Sequence, residues 1–202
     1  MHDSSEGVLH GLRPHSPPGS RQRNAGLVHA GEPGSAPRET RRAERHPPLV
    51  RIRRAQRQDA PAIEALYRLL VPGDENIAVD PERLTALEDD ATNHLLVAEV
   101  EGVVAGSVFL TICLDPMYGF QPYGVVENVI IHPAVRGQRI GAALMNELET
   151  IARAARCTKL MLLSSQARAD AHRFFQRLGY DGERKRGFVK YLNRTQAPSP
   201  RQ

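Results

Sequence analysis

The run His132-Pro133-Ala134-Val135-Arg136-Gly137-Gln138-Arg139-Ile140-Gly141-Ala142 sets two glycines and two arginines between an apolar stretch and an amphipathic one. A helix opening near Ile140 would leave the backbone N–H groups of this turn without intrahelical acceptors, aimed where a diphosphate can receive them. Glycine lets a phosphate oxygen approach the chain closely, and Arg136 and Arg139 add charge where the helix dipole is already positive. Arg136, Gly137, Gln138, Arg139, Ile140, Gly141 and Ala142 are therefore the candidate phosphate-holding residues. Taken alone, the run fits equally well a glycine-containing strand-to-helix turn with solvated arginines. It is neither the GxxxxGK[ST] loop of nucleotide triphosphatases nor the GxGxxG of dinucleotide-binding units.

The flanking elements support a turn at this place. Val125–Ile131 is nearly continuous in apolar residues, interrupted by Glu127 and Asn128, as in a strand covered on both faces, and Pro133 closes it. Beyond the turn, Ile140, Leu144, Leu148, Ile151 and Ala155 recur at helical spacing, and Lys159–Leu163 is another apolar strand. Strand, helix, strand in that order implies a right-handed parallel crossover. Upstream, Val50 and Ile52 alternate with arginines as in a half-buried strand. Asp59 is placed to cap a helix presenting Ile63, Leu66, Tyr67 and Leu70, ended by Pro72 and Gly73. Asp80-Pro81 opens a second helix with Leu84 and Leu87. His94–Val100 and Val103–Leu114 are strands joined at Glu101-Gly102, a hairpin signal. Asp115–Tyr123 is a loop. Ala171, Phe174, Phe175 and Leu178 line a last helix capped by Gly179, and Gly187–Leu192 is expected to close the domain as a strand.

Composition bounds the rest. Residues 1–48 gather Pro, Gly, Arg and five of the eight histidines but no Ile, Phe, Tyr or Trp, so they build no core and read as a disordered tail. No methionine lies between Met1 and Met117, so translation from a start downstream of this tail is the alternative. A folded domain is expected over 49–194 and a disordered C-terminus over 195–202. Cys113 and Cys157 fit neither a metal-ligand nor a disulfide-framework spacing, which points to a cytoplasmic protein without a metal. No stretch approaches the roughly 20 apolar residues that cross a bilayer. A formal charge of only +4 and the absence of Trp argue against nucleic acid as a partner.

From the phosphate-like turn outward, the chain resembles the GNAT superfamily of N-acetyltransferases, whose signature [RQ]xxGx[GA] directly follows the fourth strand. Arg136, Ile140 and Gly141 match, and Arg139 stands where the middle glycine usually is. The likeness runs over about residues 50–192: ENVIIHP looks like the fourth strand and AHRFFQRLGY like the final helix. It implies a mixed, mostly antiparallel α/β sheet with helices on both faces, a single domain, and acetyl-CoA as co-substrate; a homodimer is compatible with it. Val129, Ile130 and Ile131 would offer backbone groups to the pantetheine arm, and Arg136–Ala142 would hold the pyrophosphate. A bulge near Glu127 and Asn128 would splay the fourth strand from the fifth and aim a side chain at the acceptor.

The resemblance also implies roles. An alkyl amine with pKa near 10 is mostly protonated at pH 7, so some group must take its proton. Glu127 is the best-placed base, directly or through a water, if burial raises its pKa; pairing with an arginine or capping a loop would suit it equally. The Val129 amide would stabilise the developing oxyanion. The position of the family's usual acid tyrosine reads Phe175, leaving Tyr180, Ser164 or solvent as proton donors. His132 beside Pro133 suits a turn-stabilising role. The Asp115–Tyr123 loop and the Pro72–Asp80 segment are expected on the acceptor side, with Tyr118, Phe120 and Tyr123 as an aromatic wall. The function implied is acetyl transfer to a primary amine of a small molecule or peptide by direct attack in a ternary complex. A non-catalytic acyl-CoA sensor, favoured by Phe175 and Arg139, is the alternative.

Overall fold

A computed structural model describes residues 49–192 of the chain; the expected N-terminal tail and residues 195–202 lie outside the described residues. The elements are β1 (Val50–Arg54), α1 (Ala60–Leu70), α2 (Pro81–Glu88), β2 (Asn93–Val100), β3 (Val103–Cys113), β4 (Tyr123–Ile131), α3 (Ile140–Ala154), β5 (Leu160–Leu162) and α4 (Ala169–Arg177). The sheet runs β1-β2-β3-β4-β5; its first four strands are antiparallel, and β5 joins β4 in parallel. This is the mixed, mostly antiparallel sheet expected.

Alternation along the strands divides the core between the two faces. Leu96, Val108, Leu110 and Val126 pack against Ile140, Leu144, Met145 and Leu148 of α3 and Phe175 of α4. Leu95 and Val97 pack on the other face with Ala60 and Ile63 of α1 and Leu84 of α2. The β2–β3 turn places Glu101 at φ 51° and Gly102 at φ 81°, the left-handed pair that matches the twist of a two-residue hairpin. Asp80 caps α2 by accepting from Glu82 N at 2.8 Å, with Pro81 in the first turn. At the end of α4, Tyr180 N donates to Phe175 O (3.1 Å) and Gly179 N to Gln176 O (3.0 Å), with Gly179 at φ +88° as the left-handed stop.

Two expectations fail for physical reasons. Asp59 does not cap α1 with its side chain: a short 3-10 turn, Arg57–Asp59, precedes the helix and already holds Asp59 in helical geometry. Its buried carboxylate instead accepts from Gln56 N at 2.8 Å and from Arg53 at 2.6 Å, while Arg53 also bonds Glu99 at 2.8 Å. Gly187–Leu192 forms no strand. A Cβ on Gly187 would fall 2.5 Å from Leu163 Cδ2, so the segment passes beside the end of β5. β5 spans only Leu160–Leu162, too short an edge to template a ladder, and Phe188 and Leu192 stay exposed.

Candidate active site

The site is built around the place where β4 leaves both neighbours. β4 and β5 pair only at Gly124↔Leu160, Val125↔Met161 and Val126↔Leu162. Toward β3 the register steps from Phe109↔Glu127 to Ser107↔Ile130, so Asn128 and Val129 together oppose Val108. That two-against-one arrangement is a β-bulge. Asn128 sits at φ 54°, a left-handed conformation that asparagine tolerates better than most residues. The expected bulge and the parting from the fifth strand are both present. Ile130 is buried, Val129 and Ile131 are half-buried, and the Ile131 carbonyl accepts from Arg136 Nε at 3.1 Å.

The turn that follows is ordered from His132 onward. His132 N donates to Ala105 O at 2.8 Å, and its Nδ1 accepts from Ala134 N at 3.3 Å at the head of a short 3-10 turn, Pro133–Val135. Gly137 adopts φ +81° with open space beside it, and Arg139 adopts φ 62° immediately before α3. Position 139 is thus one where glycine is strain-free and a side chain costs about 1 kcal/mol or more. Among the described residues, no acceptor is found for the N–H groups from Gly137 to Ala142; the first to find one is Ala143 N, on Arg139 O at 3.0 Å. The geometry therefore presents a cluster of open main-chain donors beside the gap between β4 and β5. Gly141 has a packing role: a Cβ there would stand 3.1 Å from Phe174 Cζ and 3.5 Å from Ile131 Cγ1.

On the opposite side of the bulge lies a groove of about 580 Å³, bounded by Tyr67 of α1, Val79, Arg83 and Leu87 on the α2 side, and Phe109 and Asn128 on the sheet. The segment between α1 and α2 is fastened by Glu64, which accepts from Val79 N at 3.0 Å, and by Arg68, which donates to Ile77 O at 3.0 Å. Leu95, Phe109 and Glu127 lie opposite one another across β2, β3 and β4, so all three face this side of the sheet. The Glu127 carboxylate has no ion pair or hydrogen bond among the described residues. Its side chain is open to solvent in part, yet the surrounding protein withdraws enough water to push its pKa above the ordinary value of 4.5. Burial likewise raises the Tyr67 hydroxyl, against the opposing influence of Ser107 and Asn128, although Ser107 Oγ, fully buried, meets no partner at hydrogen-bond geometry.

Phe175 is buried and packs on Phe174 and Tyr180 with ring centroids 5.3 and 5.9 Å apart. Among the described residues the buried Tyr180 and Ser164 hydroxyls have no hydrogen-bond partner, and desolvation with the Glu149 charge pushes Tyr180 up to about 12. The expected aromatic wall is not where the groove is. Tyr118 and Phe120 are exposed, and Phe120 lines a separate hollow of about 220 Å³ with Leu114 and Pro116. Lys159 Nζ lies 5.0 Å from the Tyr123 ring centroid. Tyr67, Arg83 and Phe109 line the groove, and local pattern gave no reason to single them out. No group of three or more His, Cys, Asp or Glu among the described residues is placed to hold a metal, and no described helix is long and apolar enough to cross a membrane.

Comparison with known proteins agrees with this layout. The model of the acetyltransferase (GNAT) family matches residues 61–180. An aminoalkylphosphonate N-acetyltransferase of Salmonella typhimurium (strain LT2) is 29% identical over 140 residues, which cover 69% of this chain and 90% of that protein. A solved protein of Agrobacterium tumefaciens str. C58 assigned as an acetyltransferase is 26% identical, with a TM-score of 0.64 over 70% of this chain and 99% of its own. An aminoglycoside N-acetyltransferase solved in complex with CoA shares the fold at 16% identity, with a TM-score of 0.61 over 74% of this chain and 99% of its own.

Proposed function

The chain belongs to the GNAT acetyltransferase family, and from that premise we propose that it transfers the acetyl group of acetyl-CoA to a primary amine by direct attack within a ternary complex. The observation that carries this is the row of unsatisfied N–H groups, Gly137–Ala142, at the head of α3 beside the gap that opens after Val126 and Leu162. Arg136 to Ala142 would hold the diphosphate, and Val129, Ile130 and Ile131 the pantetheine arm. Acetyl-CoA supplies the activated acyl group.

The chain's own residues have two tasks at the reacting atoms in this proposal. Glu127 takes the proton from the amine nitrogen, directly or through a water, and its raised pKa brings it nearer the strength such a base needs. The Val129 N–H, on the bulge, donates to the carbonyl oxygen as negative charge develops there. Phe175 carries no proton, so the departing thiolate, with an intrinsic pKa of about 8.5, takes one from solvent or leaves unprotonated. The name of the Salmonella relative supports a small-molecule amine in preference to a peptide. The free thiols of Cys113 and Cys157 support a cytoplasmic setting.

The buried Phe175 is also what favours a second possibility, a non-catalytic acyl-CoA sensor. Thiol release from acetyl-CoA with a panel of amines separates the two. Saturable, amine-dependent release is the expected result. Heat protection by coenzyme A with no amine-dependent release would favour the sensor, and no protection at all would overturn both.

A further inference from the structure

We infer that the groove beside the β4 bulge selects amines that carry a second, anionic group, and that Arg83 is the residue that recognises it. This rests on the acetyl-transfer proposal, since it specifies the acceptor for the same site. The groove, of about 580 Å³, is of small-molecule size. Leu84, Leu87, Leu95 and Phe109 make it apolar over much of its length, and Asn128, next to Glu127, marks the end where the amine would react.

The charges along its rim decide what the remainder of the acceptor can be. α2 turns one face to the groove, with Asp80, Arg83, Leu84 and Leu87 at helical spacing. Both acids there are committed. Asp80 accepts from Glu82 N at 2.8 Å. Asp90 Oδ1 accepts from Thr92 N (2.7 Å), Thr92 Oγ1 (2.9 Å) and Asn93 N (2.7 Å). The neighbouring arginines are committed too: Arg53 to Asp59 and Glu99, Arg54 to the carbonyls of Leu87, Glu88 and Asp90, Arg57 to Glu82, and Arg68 to Glu64. Arg83, by contrast, is exposed on the groove with no side-chain hydrogen bond or ion pair among the described residues. A guanidinium in that state binds a carboxylate or phosphonate through two parallel hydrogen bonds. With Asp80 and Asp90 engaged by backbone N–H groups, Arg83 is the cationic side chain that the groove's lining offers to an anion.

The test uses the full chain with acetyl-CoA and four short amines: 2-aminoethylphosphonate, β-alanine, ethanolamine and 1,3-diaminopropane. The two anionic amines should exceed ethanolamine in kcat/KM by about tenfold or more, the worth of one charge-assisted contact. Comparing phosphonate with carboxylate identifies which anion fits. Arg83→Ala should shrink that preference mainly through KM, and Arg83→Lys should restore part of it. Equal use of ethanolamine, preference for the diamine, or an Arg83→Ala loss uniform across the panel overturns the inference and leaves acetyl transfer standing. If no amine releases thiol, calorimetry of 2-aminoethylphosphonate on the coenzyme A-saturated protein takes over. Binding that Arg83→Ala abolishes would sustain the anion site while overturning the catalytic proposal; no binding would overturn the anion site as well.

Discussion

Glu127 on β4 stands directly across the ladder from Phe109 on β3, one residue before the bulge at Asn128. This pairing sets the Glu127 carboxylate on the sheet face it shares with Leu95 and Phe109, with no ion pair among the described residues. Other carboxylates of the fold do have an arginine: Asp59 pairs with Arg53, Glu64 with Arg68 and Glu149 with Arg153.

The consequence for catalysis is a pH-dependent rate. In the proposed mechanism the working form is the Glu127 carboxylate, whose pKa lies above 4.5, so kcat should rise with pH through that raised value. Glu127→Gln should lower kcat by about 10²-fold or more, abolish that acidic limb, and spare coenzyme A affinity. Stability moves the other way. A carboxyl with a raised folded pKa favours the folded state in its protonated form, and that contribution is lost as pH rises through the folded pKa. Glu127→Gln should therefore melt at or above the parent temperature at neutral pH and together with it in acid. An unchanged rate profile would remove Glu127 from the mechanism.

Arg139 occupies a left-handed position, φ 62°, that suits glycine. Arg139→Gly should relieve about 1 kcal/mol of strain, offset in part by the greater freedom of glycine in the unfolded chain. Arg139→Val should cost about 1–2 kcal/mol, because a β-branched residue fits this conformation worst. Melting temperatures should rank Gly at or above Arg, with Val clearly lowest. Coenzyme A should still protect the Gly variant if main-chain donors carry the binding. A Val variant as stable as the parent would contradict the assigned backbone.

Gly141 should prove to be a packing residue before it is a phosphate contact. Its missing Cβ leaves room for Phe174 and Ile131, so Gly141→Val should destabilise by about 1–3 kcal/mol through overpacking. Combining it with Phe174→Ala should recover part of that loss, a coupling that urea titration of the four species of a double-mutant cycle measures directly. Strict additivity would show that the two positions do not meet.

Arg53 and Asp59 link β1 to the start of α1. Burial alone would raise the Asp59 pKa, but hydrogen bonds from Arg53 and from Gln56 N, with the Arg53 charge, hold it below 3.8. The resulting stability is present above the unfolded pKa and is lost as pH falls through the folded one. Asp59→Ala should cost about 1–3 kcal/mol at neutral pH, because it leaves Gln56 N without its acceptor and Arg53 with Glu99 alone. It should also flatten the loss of stability below about pH 4. A variant whose denaturant midpoint keeps the parent's acid dependence would show that another carboxylate is responsible.

What the amino-acid order determined by itself is what neighbours along the chain decide. Glu101-Gly102 makes its hairpin, Asp80-Pro81 opens its helix, Gly179 ends the last one, and Arg136–Gly141 lies between strand and helix, because turn chemistry, capping and periodicity act over a few residues. The bulge at Asn128–Val129 was legible only through family resemblance, which placed it near Glu127 and Asn128. Tertiary structure alone decided the partners: Asp59 turned back to Arg53, Gly141 met Phe174, and Tyr67, Arg83 and Phe109 converged from two helices and a strand to make one groove. It also left Gly187–Leu192 unpaired, since a strand forms only where a neighbouring edge is long enough to receive it. Contacts between residues far apart in sequence depend on how the faces of the sheet are covered, and no local pattern encodes that.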